Sequence, residues 1–392
     1  MNRIHERMTR MTAPMGDAAE QAFEGAALDR EAGSVNQDVR RARLQAPFGT
    51  HFVFAARWIR ECLPALLLSF GVVAVVTLVQ YVRFGTERFL GWDTPFYVYQ
   101  TVVIDQLGLG AALQSWHYPH LYVVLLWAIG KGVGNVALTE RILPFFWLFV
   151  LLAAYQRIAF GLTQNRFQAN FAVVLAGVSF NTVRILADLN RQLMALSLSL
   201  VLLVLLARGQ GSLFRLKRRN ILLHGLILAV AATQLETYVV LSFAIVLAAA
   251  LGRKLRSVLE ALVFVSVPIL LLSPLLVGFL QAYPASIGFP QQDLQLDPNA
   301  VFLFTAGSVI TVPLAVMGAW RVFKSMGRER RLETIFGAWL LSLLASFAVL
   351  AIGIIELPAM RALYIMPVPI LLMLGLPVAE SLLERLLQRR TT

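Results

Sequence analysis

This chain is a ladder of long apolar runs joined by short segments that hold most of its arginines, and nothing else limits its folding options as strongly. From Leu63 to Tyr81, and again from Ile142 to Phe160, hydrophobic residues follow one another with hardly a charge. About 20 such residues cover the roughly 30 Å hydrocarbon core of a bilayer as one α-helix. Composition agrees: 58% of the 392 residues are hydrophobic and only 14% are charged, whereas a soluble domain needs more charged surface to stay in water. The expected class is all-α, a polytopic transmembrane helical bundle.

The net charge of +12 could point to nucleic acid, but its distribution points elsewhere. Arg and Lys collect in short loops and tails between apolar runs, as they do on the cytoplasmic side of membrane proteins. Cys62 is the single cysteine, which excludes an internal disulfide and any cysteine-based metal site. Lysine occurs only at Lys131, Lys217, Lys254 and Lys324 while arginine is abundant, a bias that fits a GC-rich bacterium.

Residues 1–60 mix Arg3, Arg7, Arg10, Arg40, Arg41 and Arg43 with Asp17, Glu20, Glu24, Asp29 and Glu31 and have little apolar periodicity. They read as a largely disordered cytoplasmic tail. The first apolar run begins too late for a cleaved signal peptide, and Phe52 to Arg60 reads as an amphipathic lead-in on the inner leaflet. Residues 61–380 form the transmembrane domain, and 381–392 a basic cytoplasmic tail.

Arg57 and Arg60 place the start of the first span inside, so the segment 82–141 is a long outer loop. Within it, Leu121 to Ile129 is apolar but runs into Gly130-Lys131-Gly132. Nine residues at 1.5 Å each cover only about 14 Å, so this helix is expected to lie in the interface. If it does not cross, the basic clusters at Arg157/Arg166, Arg215–Arg219, Arg253–Arg256, Arg321–Arg331 and Arg385–Arg390 all fall inside. If it does, they all fall outside. The first arrangement gives about ten spans: 63–81, 142–160, 168–186, 192–208, 220–234, 236–252, 258–280, 301–321, 335–355 and 362–379, with both termini inside.

Four polar constellations then fall on the outer face: Asp93 with Asp105; Trp116-His117-Tyr118-Pro119-His120-Leu121-Tyr122; Asn181 through Arg184 and Asp188 to Asn190-Arg191-Gln192; and Glu356 through Arg361 to Tyr364 and Pro369. Asp93 lies beside Trp92, Tyr97 and Tyr99, rings expected at headgroup depth. A charge held at the hydrocarbon boundary is costly enough to mark a functional site. The 221–251 stretch must be a hairpin, because basic clusters flank both sides; its tip, with Gln234 and Glu236, must face protein or a water-filled cavity. A carboxylate such as Asp93 or Asp188 can take the proton from an attacking hydroxyl, and an arginine such as Arg361 can hold a phosphate bidentately. No Walker sequence and no G-x-G-x-x-G after a strand supplies a nucleotide site. A lipid-linked phosphate donor therefore fits better than a nucleotide sugar.

Gly91-Trp92-Asp93-Thr-Pro-Phe-Tyr97 after the first span, then His117-Tyr-Pro119-His120-Leu121-Tyr122, then Arg184 to Asp188-Leu-Asn190-Arg191, and a late Arg361-Ala-Leu-Tyr364-Ile-Met-Pro367 together resemble the GT-C superfamily of integral membrane glycosyltransferases, which includes protein mannosyltransferases and aminoarabinose transferases. The resemblance covers roughly residues 82–207 and, more loosely, the C-terminal spans. It implies sugar transfer from a polyprenyl-phosphate carrier to a lipid, glycan or protein acceptor on the outer side of the cell inner membrane. It implies Asp93 as catalytic base or acceptor-orienting group, Asp188 as a second acid that in some relatives helps hold a divalent metal, and Arg361 as the donor-phosphate ligand. His117, His120, Tyr97, Arg184 and Glu236 complete the expected substrate-binding set. Thr94 and Asn190 stand where some relatives carry a second acid, so a metal is an open expectation.

Each residue also has a plainer role. Asp93 could cap a helix, Asp188 could pair with Arg184 and Arg191 at helical spacings, and Arg361 could snorkel to the headgroups. The histidines could shape a loop or join a His/His/Asp metal site; Asp105 reads as a solvated face, and Trp92, Trp116 and Tyr122 as interface anchors. The alternative for the whole chain is a lipid or small-molecule transporter, to which the Glu236 hairpin and the Pro268/Pro274 span lean.

Overall fold

The computed structural model describes residues 48–85, 94–116, 120–179, 182, 185–186, 189–208, 218–252, 255–286, 298–327, 331–351 and 366–391. These form thirteen helices and, among the described residues, no strand: α1 Phe48–Phe84, α2 Thr94–Leu107, α3 Leu109–Trp116, α4 Leu121–Val133, α5 Val136–Thr163, α6 Arg166–Val178, α7 Asn190–Arg208, α8 Arg218–Thr233, α9 Leu235–Leu251, α10 Leu255–Ser286, α11 Pro298–Ser325, α12 Arg331–Ala351 and α13 Val368–Thr391. The chain divides into two compact units, Met1–Glu61 and Cys62–Thr392, and the second holds everything that follows.

A described helix covers at least part of each of the ten apolar runs. Within the described residues four stretches are long and apolar enough to cross a membrane: Leu63–Arg83, Val136–Thr163, Asn190–Arg208 and Leu255–Leu275. The protein is therefore an all-helical membrane protein. In the α7 window 67% of residues are buried, against 22% for the α1 and α10 windows, so α7 is the most enclosed of these helices and the other two are largely uncovered among the described residues.

Local chemistry sets the breaks between helices. Gly134 ends α4 in the left-handed region at φ 77°, where a residue without Cβ is unstrained. The Asn135 side chain then accepts the Leu138 N–H and starts α5, as an N-cap asparagine should. Asn165 does the same for α6 by accepting from Phe167 and Gln168. Helix α6 stops at Val178, well short of the predicted 168–186; the Ser179 hydroxyl turns back to the Ala176 carbonyl and draws the backbone out of the helix. Its 13 residues rise only about 20 Å. At the far end α13 runs on to Thr391, so residues expected to form a basic tail are mostly helical.

Helices α5 and α7 run in the same direction. Asn190 bonds Glu140 and Ser197 bonds the Trp147 carbonyl at 2.9 Å, each pair fifty residues apart in sequence, which is one constant offset along both rods. At the start of α5, the Arg141 guanidinium lies 5.3 Å from the centre of the Tyr81 ring near the end of α1. The chain thus leaves α1 and enters α5 at neighbouring points.

Close approaches use small residues, as membrane helix packing favours. Ser69 of α1 donates to the Val173 carbonyl of α6 at 3.0 Å, and a Cβ on Gly177 would fall 2.5 Å from the Ser69 Cβ. Helices α11 and α13 cross at a reciprocal pair: a Cβ on Gly318 would be driven into the Leu371 carbonyl, and one on Gly375 into the Leu314 carbonyl.

Candidate functional site

The N-terminal ends of α2, α4, α5 and α7 meet at one end of the bundle. Helix α2 buries Thr94, Tyr97, Gln100, Thr101 and Ile104, one stripe at helical spacing. The Tyr97 ring meets the Tyr122 ring edge to face at 5.3 Å. Tyr122 is 0% exposed and donates its hydroxyl to Glu140 Oε2 at 2.7 Å. Glu140, 1% exposed, accepts from Asn190 Nδ2 through its other oxygen at 2.8 Å. A carboxylate this deep needs both oxygens satisfied. Here two neutral donors from two other helices do it, and among the described residues no cation pairs with it. The Asn190 Oδ1 atom is buried without a partner, as is Gln100 Oε1.

Beside this triad, His120 caps the start of α4 with a left-handed backbone, φ 39° and ψ 53°. Its Nδ1 lies 3.1 Å from an Arg191 guanidinium nitrogen. Arginine only donates, so Nδ1 is the acceptor and the ring proton sits on Nε2. Burial, with the Arg191 charge as a second cause, pushes the His120 pKa down to about 3. The imidazole is neutral, and it holds Arg191 at the same helix end as Glu140.

On the exposed flank of α2, Asp105 accepts from Trp127 Nε1 at 2.8 Å and pairs with Lys131 at 2.9 Å. These bonds, the tryptophan's foremost, hold its carboxyl below the ordinary range and tie α2 to α4. Asp105 is solvated, as expected, yet it also clamps two helices.

Of the sequence-predicted site residues, the structure brings Tyr97 and His120 into this one cluster. Tyr97 is buried rather than set among headgroups. Tyr122 is no interface anchor either: its body packs in the core and its hydroxyl reaches the buried acid, a correction that follows from the convergence of α2, α4 and α5. Glu236 sits half-buried in the first turn of α9, next to a tip where the Thr237 hydroxyl donates to Gln234 Oε1 at 2.7 Å and both residues are buried. Asp93, His117, Arg184, Asp188 and Arg361 lie outside the described residues. Thr94 follows Asp93 directly, and Asn190 stands two places after Asp188.

Sequence reasoning missed Glu140, and it named Asn190 in an outer polar constellation without linking it to a buried acid. Glu140 belongs to none of the four polar constellations, and Asn190 stands in the third of them, where some relatives carry a second acid. The available signal was an acid one turn inside a capped apolar helix, where no solvent-facing role requires it. Among the described residues no group of three or more His, Cys, Asp and Glu side chains is gathered as a metal site; Asp188, which the resemblance links to a divalent metal, lies outside them.

No protein-family model matches this chain, and no curated protein sequence matches it. Fold and site together define a class: an all-helical membrane protein with a buried acid–tyrosine–asparagine triad and a histidine-held arginine at one end of its bundle.

Proposed function

We propose that the chain is a multi-pass membrane glycosyltransferase of GT-C type, with about ten spans, that moves a sugar from a polyprenyl-phosphate carrier to an acceptor hydroxyl on the extracytoplasmic side of the cell inner membrane. In this reading Asp93 takes the proton from the acceptor hydroxyl as its oxygen bonds the anomeric carbon. The bond from that carbon to the phosphate oxygen breaks, and the departing polyprenyl phosphate is held by Arg361. Asp188 orients the acceptor or a divalent metal.

The observation that carries this reading is the joining of four helix starts into one polar cluster. Thr94, directly after Asp93, lies on the buried stripe of α2 together with Tyr97, and Asn190, two places after Asp188, bonds Glu140. Helix N-termini carry partial positive charge and favour a phosphate, and Arg191, fixed by His120, adds a full one. The Tyr122–Glu140–Asn190 triad is a positioning device in this scheme, locking α4, α5 and α7 together beneath the reacting groups.

The test uses membranes containing the full chain and a panel of polyprenyl-phosphate-linked pentoses and hexoses. Wild type transfers label to an endogenous acceptor, while Asp93→Asn abolishes transfer with normal insertion and yield. Unchanged transfer in that variant removes the mechanism. Gradient-dependent uptake without transfer would establish the transporter instead.

A further inference from the structure

Far from the polar cluster in sequence, Trp320, Arg321, Lys324 and Ser325 at the end of α11 face Pro377 and Ser381 of α13 across a groove of about 460 Å³. Arg321 and Lys324 are three residues apart and so neighbours on the helix surface. Among the described residues neither enters an ion pair or a hydrogen bond. The Ser325 hydroxyl donates to the Val322 carbonyl at 2.8 Å and has only lone pairs to offer, while among the described residues the Ser381 hydroxyl makes no hydrogen bond. Glu380 and Glu384 lie on α13 but do not line the groove.

The face of α11 leading to this groove reads Val312, Val316, Trp320, Lys324, one residue every fourth position. The first three are 55%, 62% and 66% exposed, and the lysine is exposed as well. Twelve residues rise about 18 Å, close to the half-thickness of a bilayer core. Two valines for hydrocarbon, a tryptophan for the interface and a lysine for the headgroups follow the polarity gradient of one leaflet. Basic pockets between membrane helices on the cytoplasmic side suit anionic lipid headgroups.

We propose that this groove binds the headgroup phosphate of an anionic phospholipid of the inner leaflet. Arg321 grips the phosphate through two N–H groups, Lys324 adds a second charge, Ser381 donates its hydroxyl, and one acyl chain lies along Val312, Val316 and the Trp320 ring. The site rests on the topology that puts the 321–331 cluster inside, and is independent of any sugar transfer.

The experiment is native mass spectrometry of the purified full chain carrying phosphatidylglycerol or phosphatidylcholine of matched acyl length. Wild type is expected to retain phosphatidylglycerol at least tenfold better than phosphatidylcholine. The double variant Arg321→Gln/Lys324→Gln, both exposed positions, should lose that preference. Arg256→Gln, a cation removed at the exposed Glu260 pair on α10, should keep it. Equal retention of the two lipids by wild type, or an equal loss in Arg256→Gln, overturns the site. Displacement of phosphatidylglycerol by millimolar inorganic phosphate overturns the lipid assignment in favour of a soluble anion.

Discussion

Glu140 and Asn190 stand fifty residues apart in the chain and 2.8 Å apart in the fold, with the acid taking its second bond from Tyr122. Three helices therefore meet at one carboxylate that, among the described residues, no cation neutralises. Buried polar groups of this kind cost little while every partner is present and a great deal when one is removed.

Replacing the acid should separate shape from hydrogen bonding. Glu140→Gln keeps the volume, and its new amide can donate to the unpaired Asn190 Oδ1 after a side-chain flip, so stability should change by less than about 1 kcal/mol. Glu140→Ala leaves two buried donors and a void, and should cost about 2–4 kcal/mol. Thermal unfolding in detergent distinguishes the two; equal losses would mean that the triad contributes no hydrogen-bond energy.

The α11–α13 crossing should reject any side chain. Gly318→Ala and Gly375→Ala each push a methyl into a carbonyl on the facing helix and should destabilise by about 1–3 kcal/mol. Gly225→Ala on α8, where nothing lies within 4 Å, should instead be neutral or gain up to about 1 kcal/mol in helix propensity. A melting series on the three variants reads the contrast directly.

His120 gives a signed pH dependence. Its folded pKa of about 3 lies below the ordinary 6.5, so between these values the unfolded chain binds the extra proton. The contribution is complete above pH 6.5 and is lost as pH falls toward 3, with a slope up to about 1.4 kcal/mol per pH unit. In His120→Asn, which keeps an acceptor for Arg191 and tolerates the left-handed backbone, that slope should flatten in denaturation curves recorded from pH 7 to pH 4.

The basic-loop bias predicts sidedness. In a Cys62→Ser background, cysteine at Val133 should react with an impermeant reagent applied from outside, and cysteine at Phe167 should not; both side chains are exposed. Labelling of position 133 only after membrane disruption would invert the topology and remove the proposed outer site.

Helix positions were largely legible because a bilayer imposes a length, so runs near twenty apolar residues can be read locally; the Asn135 and Asn165 caps and the Gly134 stop are set by backbone geometry that the structure shows. The hairpin break at Gln234 was forced by the basic clusters on either side. The early end of α6 was less visible, since Ser179 turning back on Ala176 is a local competition that an apolar run does not announce. Tyr97 and Tyr122 were named but misplaced, because a tyrosine near a span end has the same sequence signature whether it faces headgroups or a neighbouring helix.

By itself the sequence determined that the chain is helical, that it belongs in a membrane, and where its main breaks fall; hydrophobic length and cap chemistry act within a few residues of where they are written. Only the tertiary structure decided which polar groups meet. Whether Glu140 is solvated or sealed depends on Tyr122 and Asn190, one 18 residues before it and the other 50 after it, and bonds between such distant positions exist only once the helices have packed.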